Sequence, residues 1–355
     1  MPPPPPSPPP PPLFPPPPSP PMPPLSPPPL PPSSPFPPAS PPAWLSNPCI
    51  EQIRPGGDLS KCPHLRGQDF RGAPLMGASL DFADLQGSVF DRADMRFVSL
   101  KGADLSGASF EAARLDEADL SLSVMDEVMM RFASLRCVKI TLVLRGSGAN
   151  FDGANFHGAS ITDSFLTDGS FSRTRFTNVS VEDTDFARGR FDDNQFGGAN
   201  FIDSKFTEAI LRHANLDGVR LDHARMQKSD MTGASLKNAV LTELQLQDAR
   251  ADGTTFDGAQ LNLADFTGTN LNGASFRHAV LNDATFTSAF LNRSDFQHAK
   301  GLGSVVGLEN AIKGMHVLGV VDAKLSGAGL SVGSRSQSMS FSAPGIDCAT
   351  PTVRY

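Results

Sequence analysis

Residues 148–160 read Gly-Ala-Asn-Phe-Asp-Gly-Ala-Asn-Phe-His-Gly-Ala-Ser. Phe151 and Phe156 stand five residues apart, and each has an Ala two residues before it. This spacing fits neither the 3.6-residue helix period nor the two-residue strand period. Something must therefore turn the chain every five residues, and the intervening Gly, Asp, Asn and Ser suit tight turns. The pattern extends in both directions. From Leu65 to Ile140 every fifth residue is large and apolar, 16 in succession. The frame slips by one residue around Arg145 and Gly146 and resumes from Phe151 to Phe296 for 30 more units. Of these 46 central residues, 45 are Leu, Phe, Met, Ile or Val, and the exception is Ala251. The residue two before each centre is small or Val in 42 units, with Pro63, Gln68, Asn194 and Leu244 departing.

The unit, typified by Ala103-Asp104-Leu105-Ser106-Gly107, resembles that of the pentapeptide-repeat family: Ala, Asp or Asn, Leu or Phe, then two variable residues. The resemblance covers residues 63–299. It implies an all-β fold, a right-handed quadrilateral β-helix with four units per coil and both the large and the small residue pointing inward. The 46 units would make about 11.5 coils, or about 55 Å at the strand spacing. A 20-residue coil stacks Phe70, Phe90 and Phe110 on one side, and Phe256, Phe276 and Phe296 on another. Phe266 and Phe286 fall opposite the latter, and Phe191, Phe196, Phe201 and Phe206 fill one coil with Phe on all four sides. These residues read as core ladder, not as a ligand box. The slip predicts a bulge or slight kink between runs of 63–144 and 147–299.

The flanks differ in kind. Of the 34 prolines, 28 lie within Pro2–Pro42, and no charged residue precedes Glu51. Such a tract holds polyproline II geometry and predicts a disordered arm over residues 1–48, a spacer reaching roughly 130 Å when fully extended. Residues 13–31 include FPPPP and PPLP runs that suit a polyproline-binding module. The Ser-Pro-Pro phrases at Ser7, Ser19, Ser26 and Ser40 resemble the hydroxyproline-rich glycoproteins of plant and algal cell walls, which implies a secreted, modified arm. The tract is not preceded by the charged and apolar regions of a secretory signal, which inclines the reading toward an intracellular chain. No run of 18 apolar residues is present, so no membrane-spanning helix is expected.

Residues 49–62 read as an N-terminal cap, in which Cys49 and Cys62 either form a disulfide in an oxidising compartment or stand as two thiols. Residues 300–325 read as a helical cap, with Leu308, Ile312 and Met315 on one face and homodimerisation as a sharper role. Residues 326–355 are Gly- and Ser-rich and read as a disordered tail.

No nucleophile elbow, phosphate loop, Cys-x-x-Cys pair or His-Glu-x-x-His motif occurs, so no catalytic residue, cofactor or metal is assigned. The aspartates fall at turn positions, as at Asp84, Asp94 and Asp104, and His278 with His298 would supply only two ligands. Residues 63–299 carry 32 acidic and 23 basic side chains, a net of −9. A duplex of that length carries roughly 32 charges. Nucleic-acid mimicry, known for some members of the resembled family, is thus the third reading. The second is a wall-associated glycoprotein, and the first is a non-enzymatic structural or protein-interaction scaffold with unidentified protein partners. Its expected partner patch is Leu122, Val124, Val128 and Met129, near Leu142 and Leu144, where the pattern expects polar residues.

Overall fold

A chain that turns every five residues closes on itself after four turns, and backbone pairing between successive coils is the result. The structure, a computed structural model, describes residues 49–311 and Leu318. They form a right-handed quadrilateral β-helix in which the residue before each centre pairs in parallel with its counterpart one coil on. Asp69 pairs with Val89, and Val89 with Ser109, for example. On the third side the pairing lengthens into four strands: β1 (Lys139–Thr141), β2 (Ser160–Thr162), β3 (Ser180–Glu182) and β4 (Asn200–Ile202). They lie in sequence order and all run parallel, with Ile140, Ile161, Val181 and Phe201 in register.

Most corners are turns closed by a backbone hydrogen bond. The Ala73 N–H donates to the Phe70 carbonyl at 2.9 Å, and Gly72 between them has φ +66°. A positive φ at the third turn residue is the type II requirement, which explains the Gly, Asn and Asp recurring there. Aspartates just before the centre brace the same turns. The Asp104 carboxylate accepts from the Ser106 N–H at 3.0 Å and its hydroxyl at 2.6 Å, and Asp84 accepts from the Gln86 N–H at 3.2 Å.

The core is the inward pair of each unit. Phe70, Phe90 and Phe110 stack at 4.9 Å between centroids with near-parallel rings. Phe256, Phe276 and Phe296 stack at 4.9 and 4.7 Å, and Phe266 on Phe286 at 4.7 Å. These offset contacts suit the aromatic quadrupole. The all-Phe coil closes as a ring of edge and tilted contacts, 5.3–6.1 Å apart, with every member buried. It is tightly packed. Nearby, Gly169 and Gly189 replace the usual Ala, because a Cβ there would lie 2.7 Å from the Phe171 ring and 2.8 Å from the Phe191 ring. Several inward hydroxyls are satisfied by the preceding coil: Ser88, Thr174 and Ser294 donate to the carbonyls of Leu65, Phe151 and Leu271 at 2.6, 2.8 and 2.9 Å, whereas the buried Ser229 hydroxyl has no hydrogen-bond partner among the described residues.

The frame slip is a bulge confined to one unit. Pairs across it are 21 residues apart, as Val124 with Arg145 and Met129 with Asn150, and the ladder returns to 20 with Asn150 and Ser170. Val143 points inward and is fully buried, while Leu144 turns outward. Gly146 takes the central position, where a Cβ would lie 2.6 Å from the Phe165 carbonyl oxygen. Pairing continues without a gap on the first three sides; on the fourth, Arg145 pairs back to Val124 but not onward to Phe165, whose N–H donates instead to the Val143 carbonyl at 2.8 Å.

The ladder also reaches further than residues 63–299. Asp58 already pairs with Ser79, and Leu59 and Ile53 are buried beneath the first coil. Cys49 and Cys62 form a disulfide across this end. At the other end Lys300, Val306 and Leu318 still pair with Val280, Thr285 and Asp295. Among its described residues, the segment expected to be helical combines these three bridging residues and a turn with one short helix, α1 (Leu308–Ala311), which buries Leu308 and Ala311. The backbone groups of the last coils need partners, and continued coiling provides them. Ile312, Met315, the arm over 1–48 with its 13–31 segment, and the tail over 326–355 lie outside the described residues.

Candidate interaction surface

The five-residue frame sends three positions outward: those before and after each centre, on the flat sides, and the second after it, at the corner. Most flat positions are polar, and some of their charges are paired within the stack on every side. On the first side Asp230 binds Arg212 at 2.8 Å and Arg250 at 3.5 Å. On the second Asp94 binds Arg96 at 2.7 Å, on the third Asp119 binds Lys101 at 3.3 Å, and on the fourth Asp185 binds Lys205 at 3.7 Å. The Arg96 hydrogen bond holds the Asp94 carboxyl below its ordinary value. Burial opposes ionisation of Asp230, yet hydrogen bonds from Thr232 and Arg212 outweigh it and keep that carboxyl low as well. Each side is a mixture of signs, with no acidic stripe running its length.

The expected patch is only partly assembled. Leu122 is 51% exposed at the corner between the third and fourth sides, and Val124 is half-buried on the fourth. Met129 is 44% exposed but lies on the adjoining first side. Val128 is fully buried and does not belong to the patch. It occupies the small inward position two before Met130, so its apolar character is a core requirement. The corner row that holds Leu122 continues into Leu142, and Leu144 and Phe165 flank it on the fourth side, all exposed. Phe165 escapes sequence reading because the position before a centre tolerates any side chain; only the frame after the slip marks it as outward.

Large apolar residues also occupy corners elsewhere in the first half of the stack. Phe82, Phe97 and Phe132 are exposed at φ 58°, 61° and 57°, as Leu122 and Leu142 are at 65° and 58°. Bulky side chains in this left-handed region cost roughly 1–2 kcal/mol each. Arg131 covers Phe132 at 5.3 Å from the ring centroid. A groove beside it is lined by Arg71, Asp91, Arg92 and Glu111, a mixed set that selects no ligand charge. The core-ladder phenylalanines are all buried. His278 and His298 stack at 4.9 Å, and no cluster of three metal-ligating side chains occurs among the described residues. No helix among them is long and apolar enough to cross a membrane.

Comparison with known proteins agrees with this geometry. A family model described as pentapeptide repeats matches residues 73–111, 103–138, 146–168, 195–233, 220–258 and 259–297. It passes over residues 169–194, where Gly, Thr, Val and Asn replace Ala at the small inward position although the coils continue. Among solved structures, HetL, a pentapeptide repeat protein of heterocyst differentiation regulation from the cyanobacterium Nostoc, is 22% identical over 64% of this chain and 91% of its own, with a TM-score of 0.34. QnrB1, a plasmid-mediated fluoroquinolone resistance protein, is 18% identical over 52% of this chain and 89% of its own, at a TM-score of 0.25. A pentapeptide repeat protein from the Arabidopsis thaliana thylakoid lumen is 29% identical over 32% of this chain and 66% of its own, at 0.14. A search of curated proteins found no match. With the family model matching more than half of the sequence and the coils running on through residues 63–299, the chain belongs to the pentapeptide-repeat family.

Proposed function

We propose that this chain is a non-enzymatic scaffold that binds a protein partner through the first half of its coil stack. The observation that carries the reading is the set of exposed Phe and Leu residues at left-handed corner positions, Phe82, Leu122, Phe132 and Leu142. Folding alone favours Gly, Asn or Asp at such corners, so selection for contact explains these residues better. The flat sides support the same role, because their interspersed signs leave a rigid surface with no single dominant charge. The mixed signs on all four sides argue against duplex mimicry, which needs a dense and continuous negative field.

A photo-crosslinking residue at position 142 of the full chain, compared with one at Gln260, tests the scaffold reading in extract from the native source. Protein adducts at 142 and none at 260 are the expected result. Nucleic-acid adducts, or equal labelling at both, would overturn it.

A wall-associated, secreted protein is the second reading, and the Cys49–Cys62 disulfide favours it, since such bonds persist in oxidising compartments. Hydroxyproline in the arm of the native protein, found by peptide mass spectrometry, would select it. Pairing of two copies through the C-terminal end would use Phe290, Val306 and Leu318, each more than half exposed.

A further inference from the structure

The corner row between the third and fourth sides changes character along the stack. In successive coils it reads Phe82, Gly102, Leu122, Leu142, Asp163, Asp183, Asp203, His223, Glu243, Leu263 and Asp283. Each corner amide donates to a carbonyl of the next coil: Leu122 to Thr141 at 2.8 Å, Leu142 to Thr162 at 3.1 Å, Asp163 to Glu182 at 3.1 Å and Asp183 to Ile202 at 3.3 Å. The side chains therefore stand one above another at the strand spacing, about 4.8 Å. Leu144 and Phe165 widen the apolar end, and Glu182 adds to the acidic end. Asp163, Asp183, Asp203 and Glu182 are exposed, and among the described residues none of them is in an ion pair. On the flat sides Asp94, Asp119, Asp185 and Asp230 have cationic partners, while Asp91, Asp152 and Asp217, like Glu182, are in no ion pair among the described residues; what sets the corner apart is three successive exposed carboxylates stacked without a cation. Lys205 lies two residues beyond Asp203 but turns to Asp185 at 3.7 Å.

From this row we infer that the scaffold's partner docks as a single amphipathic helix, apolar in its first two turns and carrying Lys or Arg in the following three on the same face. The inference rests on the scaffold reading and names its partner's chemistry. Spacing selects the helix. Side chains on one helix face recur every turn, 5.4 Å, close to the coil spacing, whereas alternate residues of an extended strand recur at about 6.7 Å. From Leu122 to Asp203 is four coil steps, about 19 Å, which 13 helical residues span. The accumulated mismatch of about 2–3 Å is within reach of flexible Lys and Arg side chains. Leucines over Leu122, Leu142, Leu144 and Phe165 would supply the desolvated centre, and the basic turns would meet carboxylates that no cation neutralises among the described residues. The order apolar then basic, read toward the C-terminal end of the stack, fixes the position of the helix along the row.

The probe is a labelled 18-residue helical peptide with leucines on one face of its first two turns and lysines on the same face of the next three. Binding to the full chain is read by fluorescence anisotropy. Asp163→Asn, Asp183→Asn and Asp203→Asn together should weaken it about tenfold at low salt and much less at 0.5 M salt. Leu142→Asn with Leu144→Ser should weaken it at both salt concentrations. A peptide with glutamates for lysines should not bind. Equal affinity for the glutamate peptide, or for the triple Asn variant at low salt, would overturn the inference, and so would an absence of binding by the lysine peptide. Photo-crosslinking at position 142 separates the two readings: protein adducts there together with a failed peptide test would leave the scaffold standing and discard the helical, basic partner.

Discussion

At a single position, five residues before or after decide less than whether the side chain faces the coil interior. Val128 and Leu122 are both apolar in the same stretch, yet one is fully buried and the other 51% exposed. Val128→Asp should therefore cost about 3 kcal/mol or more, since it buries a carboxylate without a partner. Leu122→Asp should stay within about 0.5 kcal/mol. Urea denaturation of the two variants checks this, and equal losses would place Val128 on the surface after all. The left-handed corners make the opposite kind of prediction. Phe82 is 76% exposed at φ 58°, so Phe82→Asn should stabilise the fold by roughly 0.5–1 kcal/mol. A stabilising replacement of an exposed aromatic is what a contact residue, retained at the expense of stability, would show. If the urea midpoint falls instead, Phe82 contributes packing that its exposure hides.

At the level of the turn and the strand, the repeat was legible almost completely, because inward positions are restricted in size and corner positions in φ. The Phe ladders, the bulge and the turn-bracing aspartates all follow from those two restrictions. Three features were not legible, each for a physical reason. Gly146 reads as a turn residue, and only the approach of the Phe165 carbonyl shows that it fills a central position. Leu59 precedes Leu65 by six residues, outside the five-residue frame, yet it is buried as a further centre. Phe165 sits on a flat side, where the pattern permits any residue. The turn carboxylates also predict acid behaviour. Hydrogen bonds from Arg96 and from Arg188 hold Asp94 and Asp168 below their ordinary values. Their contribution is thus complete above the unfolded value near pH 3.9 and is lost as pH falls through the lower folded values. The urea midpoint should fall steadily between about pH 4 and pH 2, and the fall should shrink in the double variant Asp94→Asn, Asp168→Asn. An unchanged slope in that variant would assign the acid loss to other carboxylates.

Across the whole coil stack, each coil touches only its neighbours, so stability is a sum of coil and interface contributions and the ends fray first. The first coil is covered by Ile53 and Leu59, by hydrogen bonds from Gly56 to Met76 and from Leu59 to Ser79, and by the Cys49–Cys62 disulfide with a sequence separation of 13. Closing a loop of that size restrains the unfolded end by about 3 kcal/mol. That is about a hundredfold in the opening equilibrium. Replacing both cysteines by serine should therefore speed amide exchange at Leu59, Phe70 and Leu75 by up to that factor. The amides of Leu236 and Phe256, many coils away, should keep their protection. Hydrogen exchange read by mass spectrometry distinguishes the two regions directly. A uniform loss of protection along the stack would show that the coils melt as one cooperative body, and the cap would then govern the stability of the distant corner row as well as that of its own end.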